Sequence, residues 1–225
     1  MRAKRQQKKR QNNHSALAVF EYEQALLSQG FSCICGVDEV GRGPWAGPIV
    51  AAAVIISNIK YQMSNLGVRD SKKLTEKKRE ELFEILITLP EIEYSVAWVS
   101  AEEIDRIGLG VANQLVLKKA VEGLKTKPDY VLVDGFKIND LMHIPQEHIV
   151  KGDEKIFSIA CASIIAKVSR DRYMRELHKK YPHYGFDRHK GYGTREHLEA
   201  IKRYKLCPEH RRSFTPIREI LNSEH

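Results

Sequence analysis

Acidic side chains stand where short apolar segments of this sequence end. Asp38 and Glu39 close one such segment, and Asp134 directly follows the apolar run YVLV. Asp153 comes after a third short segment, and Asp171 lies deep inside a long helical pattern. Ligands of α/β proteins bind at the carboxyl ends of the strands. If these segments are neighbouring strands, the sequence therefore predicts a cluster of carboxylates at one edge of a sheet.

Such a cluster has a defined chemistry. Carboxylates held a few ångströms apart raise each other's pKa or recruit a cation. Ligands that are all oxygen select hard ions, so Mg²⁺ or Mn²⁺ is the expected guest, and such a site can support two-metal cleavage of a phosphodiester. Taken singly, each acid could equally be a turn residue, a helix cap or a strand terminus.

Adjacent strand residues point to opposite faces of a sheet, which constrains Asp38 and Glu39. The two can share one site only if the strand bends or ends there. The following Gly41-Arg42-Gly43 permits such an ending.

The first half of the chain predicts an antiparallel meander. Phe31–Val40 and Glu93–Val99 are rich in strand-forming residues, and Ile49–Ser57 is continuously apolar, as expected for a strand covered on both faces. Leu74–Leu89 has helical spacing and interrupts the meander, with Thr75 as its expected cap.

The second half alternates between helix and strand. Ser100 begins a capping-box pattern, and the expected elements that follow are helix Leu109–Leu124, strand Tyr130–Val133, strand His148–Lys151, helix Glu154–Lys180 and helix Thr194–Tyr204. Strands first, then alternating strands and helices, indicate a single α/β domain with a mixed sheet over residues 15–225.

Charge is distributed unevenly along the 225 residues. The net charge is +8, but six basic residues and no acidic ones lie in the first ten positions, which leaves +2 for the rest. Residues 1–14 are therefore expected to form a flexible basic arm, either merely solvated or acting as an electrostatic tether to phosphates. Because the remainder is nearly balanced, charge alone does not settle the function.

Several protein classes are disfavoured. The apolar run after the basic start is too short for a secretory signal, and the longest uncharged stretch, Gly43–Ile59, is interrupted by proline and glycine. The four cysteines form no C-x-x-C pair, and the spacings of His189, His197 and His210 fit no zinc pattern. We expect a cytoplasmic protein with reduced thiols and no membrane association.

The sequence is similar to bacterial ribonuclease HII, the type 2 ribonuclease H. The segment Gly36–Pro48 reads GVDEVGRGPWAGP and resembles the opening signature of that family. Six further motifs follow in family order: Asp70-Ser71-Lys72-Lys73-Leu74, Val133-Asp134-Gly135, Lys151-Gly152-Asp153, Ala162–Asp171, His189-Lys190-Gly191-Tyr192 and His210-Arg211-Arg212-Ser213-Phe214. Trp45 departs from the pattern, where an aliphatic residue is more usual.

The resemblance implies a ribonuclease H-like fold, with a mixed five-stranded sheet flanked by helices and a helical C-terminal part. It implies an endoribonuclease that cleaves the RNA strand of RNA–DNA hybrids. It also implies incision 5′ of single ribonucleotides embedded in duplex DNA, by two-metal hydrolysis that leaves 3′-OH and 5′-phosphate ends. The cofactor would be Mn²⁺ or Mg²⁺, and the enzyme would act as a monomer.

The resemblance also assigns roles by motif position. The metal-binding carboxylates would be Asp38, Glu39, Asp134 and Asp153, and the residues that read the ribonucleotide would be Gly41, Arg42, Gly43 and Tyr192. Beside these, we take Lys72, Lys167, Arg170 and Arg212 as candidate substrate-binding residues. Glycines allow a backbone to approach the 2′-OH that distinguishes RNA from DNA, and Tyr192 would stack at the RNA–DNA junction. The four lysines and arginines outside the loop would contact phosphates, although each could be a surface charge or an ion pair. Asp171 would support a neighbouring side chain or bind the metal.

Two alternatives remain at this point. A ribonuclease HIII-like nuclease would carry an additional N-terminal domain and lack the Gly-Arg-Gly loop, whereas here the first strand begins near Phe31. A non-catalytic hybrid-binding module would not need the complete set of carboxylates.

Deletion of residues 1–14 tests the tether. We expect weaker binding to a hybrid and a shallower dependence of the binding constant on salt, because fewer counterions are released. The cleavage position should stay unchanged. Binding measured across a salt series for both chains checks this, and equal slopes would show that the arm is inert.

Overall fold

A mixed five-stranded sheet lies at the centre of the protein, in the order β3-β2-β1-β4-β5. The computed structural model describes residues 20–57, 67–68, 74–141 and 143–222. The strands are β1 Ile34–Val40, β2 Ile49–Ile56, β3 Ile92–Val99, β4 Tyr130–Asp134 and β5 Gln146–Ile149. The basic arm and the candidate phosphate contact Lys72 lie outside the described residues.

The strand pairing confirms the predicted meander. β1, β2 and β3 pair antiparallel, whereas β4 is parallel to β1 and β5 is parallel to β4. β2 is buried along almost its whole length, as its continuous apolar sequence predicts. The change from antiparallel to parallel pairing falls between β1 and β4, the two strands that carry the candidate carboxylates Asp38 and Asp134.

Helices cover both faces of the sheet and form the C-terminal part. They are α1 Glu21–Ser28, α2 Glu76–Thr88, α3 Ala101–Ile107, α4 Leu109–Glu122, α5 Gly152–Lys155, α6 Phe157–Lys180, α7 Phe186–His189, α8 Arg195–Tyr204 and α9 Thr215–Asn222. The predicted caps are confirmed: the hydroxyls of Thr75 and Ser100 accept the amide N–H of Lys78 at 3.2 Å and of Glu103 at 3.1 Å. Within the described ranges, no helix has the length and apolarity that a membrane crossing requires.

The predicted single helix Glu154–Lys180 is wrong at its start. Ile156 has an extended backbone (φ −113°, ψ 126°) and separates α5 from α6. Because Ile156 itself has no side-chain cap to offer, α6 is capped from another helix: the buried Glu23 of α1 accepts both the amide and the hydroxyl of Ser158 at 3.0 Å. A carboxylate at a helix N-terminus satisfies unpaired amides and is favoured by the helix dipole.

α6 packs very closely on β1. A Cβ added to Gly36 would lie 2.3 Å from the backbone carbon of Ser158, so only glycine permits this approach. α6 forms one apolar core with α2 and the sheet, while α4 forms a second core on the opposite face. β1 is therefore held from both sides, which fixes the position of its carboxyl end.

The C-terminal helices have a core of their own that contains imidazoles. His197 and His210 are almost fully buried, beside Tyr184, Phe186 and Cys207. This cluster explains the histidines that the sequence left without a zinc pattern: they are packed and hydrogen-bonded groups of a core.

The two imidazoles form a chain of hydrogen bonds. Nδ1 of His197 lies 2.9 Å from the carbonyl oxygen of Tyr192 and must donate to it, so its Nε2 accepts from Nε2 of His210 at 3.0 Å. Nδ1 of His210 then accepts the amide N–H of Cys207 at 3.0 Å. This arrangement requires both rings to be neutral. Burial lowers the pKa of His197 to about 3 and that of His210 to about 4.

The neutral pair makes stability depend on pH. The folded-state pKa of each ring lies below the ordinary value of 6.5, so the unfolded chain takes up protons that the folded chain does not between pH 6.5 and about 4. The free energy of unfolding should therefore decrease as the pH is lowered from 6.5 to about 4. Replacing His210 by Gln should reduce the slope by about 1 kcal/mol per pH unit.

Urea denaturation of wild type and His210→Gln between pH 7 and pH 4.5 checks this expectation. His148→Gln is the matched control, because His148 is exposed on the last strand. Equal slopes for wild type and His210→Gln would contradict the assignment of a neutral pair.

Candidate active site

Asp38 and Asp134 are placed side by side by strand pairing. In the parallel register of β1 and β4, Val37 is opposite Val133, so the next residue of each strand is an aspartate. Both aspartates point to the face that α6 covers, because side chains alternate along a strand and Gly36 faces Ser158. The strand register thus brings the carboxylates of Asp38 and Asp134 together, as the sequence predicts.

The electrostatics of these acids reflect their closeness. Asp38 is buried, and its pKa is raised well above the usual value by burial first, then by the charges of Glu39 and Asp134. The Ser163 hydroxyl donates to Asp38, and so does the Glu39 amide N–H, at 2.7 Å. Both hydrogen bonds act to lower the pKa of Asp38. Burial also raises the pKa of Glu39, with Arg42 acting against it. Three acids that destabilise one another's charge fit a bound divalent cation.

Asp153 joins the same end of the sheet through α5. The amide N–H of Gly152 donates to Oδ1 of Asp134 at 2.7 Å, and Asp153, next in the chain, is almost fully buried. The described residues contain no ready-made cage of three or more carboxylate, imidazole or thiolate ligands. Mg²⁺ commonly uses one or two carboxylates together with water and substrate phosphate, so this donor set still fits it. The metal-binding role of the four acids stays a prediction.

A cavity of about 380 Å³ opens in front of Asp38 and Glu39. Its lining includes Asp38, Glu39, Arg79, Ser163, Lys167 and Tyr192. The cavity brings together three sequence-predicted groups: carboxylates, a lysine and the exposed ring of Tyr192. A cavity at a strand edge that is lined by carboxylates and by basic side chains can hold a phosphodiester and its counterions.

Lys167 faces this cavity from α6 and is held by Asp171, one helical turn further on. Its Nζ lies 2.7 Å from Oδ1 of Asp171, which is itself buried. Burial lowers the pKa of Lys167, and the carboxylate of Asp171 acts in the opposite direction. Asp171 therefore orients a cation of the cavity, which favours the supporting role over direct metal binding.

The loop after β1 lies next to Tyr192. A Cβ added to Gly43 would be 3.6 Å from the Tyr192 ring. Arg42, between the glycines, is half exposed: its guanidinium lies 3.5 Å from Oε1 of Glu39 and 5.2 Å from the ring centre of Phe136. The predicted ribonucleotide-reading loop and the predicted stacking ring are thus neighbours.

The predicted phosphate contact of Arg170 is wrong. Its side chain has no exposed surface, and its three nitrogens donate to the backbone carbonyls of Ala46, Pro48 and Lys190 at 2.9–3.2 Å. These bonds occupy the guanidinium inside the protein. Arg212 is exposed and remains available to a phosphate, while its own amide N–H donates to Asp105.

Three residues of this region escaped the sequence interpretation. Ser163 donates to Asp38, Arg79 of α2 lines the cavity, and the buried Arg211 donates to the loop after β1. Ser163 and Arg211 lie inside two of the family motifs, so their sequence positions alone could have indicated a role in the site. Arg79 belongs to an ordinary charged helix and carried none.

Comparisons with known proteins agree with this geometry. The sequence model described as Ribonuclease HII matches residues 35–217. The ribonuclease HII of Caldicellulosiruptor bescii is 55% identical over 195 residues, which is 87% of this chain and 92% of that protein. The ribonuclease HII of Chlamydia caviae is 48% identical over 200 residues, 89% of this chain and 92% of that protein.

A solved structure has the same fold. The crystal structure of ribonuclease H2 from Pyrococcus horikoshii superposes with a TM-score of 0.74 at 32% identity, covering 85% of this chain and 98% of that one. The resemblance inferred from the motifs is confirmed, and so is the ribonuclease H-like fold. The chain belongs to the ribonuclease HII family of divalent-metal-dependent endoribonucleases.

Proposed function

We propose that this protein cleaves the RNA strand of RNA–DNA hybrids and incises 5′ of single ribonucleotides embedded in duplex DNA. The observation that carries the proposal is the shared cavity. Asp38 and Glu39 line it together with Tyr192, which borders the Gly41-Arg42-Gly43 loop, and Asp134 lies beside Asp38 on the adjacent strand end. The carboxylates that would cleave the backbone and the groups that would recognise the sugar therefore lie close enough to contact one substrate. The products are 3′-OH and 5′-phosphate ends.

Asp38, Glu39, Asp134 and Asp153 would hold the divalent ions, Mg²⁺ or Mn²⁺. The bound ions would lower the pKa of the attacking water and stabilise the leaving 3′-oxygen. The protein's own contribution is orientation. The Ser163 hydroxyl and the Glu39 amide fix the Asp38 carboxylate, and the Gly152 amide fixes that of Asp134. Oriented ligands bind metal without reorganising first.

Cations around the cavity hold the nucleic-acid backbone. Lys167, restrained by Asp171, is a point charge for a phosphate beside the cut. Arg79 lines the same cavity from α2, and Arg212 extends the cationic surface from the C-terminal part. Such contacts position the duplex and carry no sequence information, which suits an enzyme that acts at any sequence. Lys72 is retained as a further phosphate contact.

Recognition of the ribonucleotide falls to the loop and the ring. Gly41 and Gly43 let the backbone approach the 2′-OH, and Arg42, which is half exposed beside Glu39 and Phe136, would meet the sugar-phosphate chain. Tyr192 is 45% exposed and presents its ring next to Gly43, where it would stack at the RNA–DNA junction. We further infer a monomeric cytoplasmic enzyme whose residues 15–225 form one catalytic domain preceded by the basic arm.

A cleavage assay tests the function. The substrates are a duplex with one ribonucleotide, a duplex with a run of ribonucleotides, an RNA–DNA hybrid and an all-DNA duplex, each with Mg²⁺ or Mn²⁺. We expect cuts in the first three substrates and none in the fourth. Retention of hybrid without turnover would instead indicate a binding module, and cleavage of hybrid without incision at a lone ribonucleotide would remove the second activity.

Asp134→Asn should abolish most cleavage while hybrid binding changes little. Asparagine keeps the Oδ1 that accepts the Gly152 amide, so the fold is preserved and only the charge is lost. The rate should fall by more than about 100-fold, since even outer-shell changes at metal sites cost 10–100-fold. Single-turnover cleavage and a binding titration check this. Asp140→Asn, at an exposed site of positive φ that asparagine tolerates, is the matched control. An active Asp134→Asn would remove Asp134 from the metal site.

Lys167→Gln should weaken substrate binding and reduce the salt slope of log K by about 1, the loss of one phosphate contact. Glutamine can still hydrogen-bond Asp171, so the helix is undisturbed. KM and binding measured from low to moderate salt check this against Lys179→Gln, a lysine exposed on the same helix. An unchanged slope would place Lys167 outside the phosphate path.

A further inference from the structure

Two arginines without exposed surface, Arg170 and Arg211, grip the backbone of residues 41–48, which we term the glycine loop. Arg211 donates to three of its carbonyls: Gly41 at 2.6 Å, Gly47 at 2.9 Å and Arg42 at 3.0 Å. Arg170 donates to two more and to the carbonyl of Lys190, just before the segment that carries Tyr192.

The bonding of these arginines is unusual for buried cations. Within the described residues neither forms a salt bridge: both donate to backbone carbonyls, and the Arg211 guanidinium also lies 5.1 Å from the ring centre of Phe214. Burial lowers the pKa of Arg170 to about 10 and that of Arg211 to about 9. An uncompensated buried charge is costly, and the guanidinium's rigid fork of five donors allows several carbonyls to share it. The fork and the loop therefore fix each other's geometry.

Because peptide groups are planar, the bonds to the carbonyls also fix the direction of the N–H groups on the opposite side of the loop. The C=O of a trans peptide is antiparallel to the N–H of the next residue. Because the carbonyls of Gly41 and Arg42 point at Arg211, the N–H groups of Arg42 and Gly43 point away from it. Gly41 has φ +93°, and a Cβ there would lie 2.4 Å from Nε of Arg170, so Arg170 leaves no room for a side chain at this position.

The same two side chains connect the loop to the stacking ring. The amides of Trp45 and Ala46 donate to the carbonyl of Gly191, and Arg170 bonds on both sides of this junction, to Ala46 and to Lys190. Displacement of the loop therefore displaces the segment that holds Tyr192.

We propose that Arg211, assisted by Arg170, is a positioning residue that sets selectivity for a lone ribonucleotide by fixing the glycine loop. This inference rests on the proposed incision at single ribonucleotides. Arg211 touches no substrate in this scheme and acts through the loop. Long hybrids depend less on it, because they offer many ribose hydroxyls and a continuous phosphate contact surface, whereas a single ribonucleotide offers one hydroxyl to be met by one backbone geometry.

The test compares Arg211→Lys with wild type on two substrates, a duplex with one ribonucleotide and an RNA–DNA hybrid. Lysine keeps the charge but replaces the planar fork by a point donor. We expect the ratio of kcat/KM for the lone ribonucleotide to kcat/KM for the hybrid to fall by at least about tenfold, because small misplacements of a recognition group are expensive. Hybrid cleavage should stay within a few-fold of wild type. Arg203→Lys, an exposed arginine of α8, is the matched control.

Circular dichroism and melting of each variant establish that it is folded. If Arg211→Lys does not fold, Arg170→Lys and a binding measurement in Ca²⁺ take its place, comparing the Kd of the ribonucleotide duplex with that of an all-DNA duplex. Loss of that preference supports the proposal. An unchanged ratio, or equal losses on both substrates, overturns it. Failure of wild type to cut at a lone ribonucleotide would instead defeat the proposed function itself.

Discussion

The closeness of like charges at the ends of β1 and β4 is the constraint on which the rest of the structure depends. The apolar strands β1 and β4 pair in parallel, and their register makes Asp38 and Asp134 neighbours. Each carboxylate raises the cost of ionising the other, and burial adds to that cost. A fold can hold such a pair only if its other contacts are strong enough to prevent the strands from separating. The double packing of β1, by α6 on one face and α4 on the other, provides those contacts.

α6 carries several side chains that contact the acids and the glycine loop. Ser163, Lys167 and Asp171 recur at four-residue spacing, so they form one stripe along the helix beside the acids. Arg170, adjacent to this stripe, turns inward to the glycine loop. Because one helix carries an acid's hydrogen-bond donor, a phosphate contact and a loop anchor, a shift of α6 would move all three together. The Glu23 carboxylate that caps its first turn therefore contributes to the site's geometry from far outside it.

Much of this arrangement could be predicted from the sequence, and the failures have physical reasons. Strand-end acids could be predicted because several of them follow apolar runs: each alone could be a turn residue or a cap, but together they indicate one edge of a sheet. The break at Ile156 could not, since the carboxylate that caps α6 after the break belongs to Glu23, more than 100 residues away in the chain. Arg170 was misassigned because an arginine in a helical pattern looks the same whether it meets solvent or a ring of carbonyls. Only the tertiary structure shows which carbonyls are within reach.

Arg170 and Arg211 illustrate why a substrate-reading loop needs support from elsewhere. Side chains normally anchor a loop by packing, as Trp45 and Ala46 do in the second half of this one, but the Gly41-Arg42-Gly43 part that must approach a sugar closely has no apolar side chain to pack. Its remaining handles are its amides and carbonyls. Since the amides of Arg42 and Gly43 are needed on the substrate side, the carbonyls must be held from behind, and a guanidinium, with five N–H donors in a fixed fork, can hold several at once. The two buried arginines are therefore a consequence of the glycines, and the glycines a consequence of having to recognise one hydroxyl group.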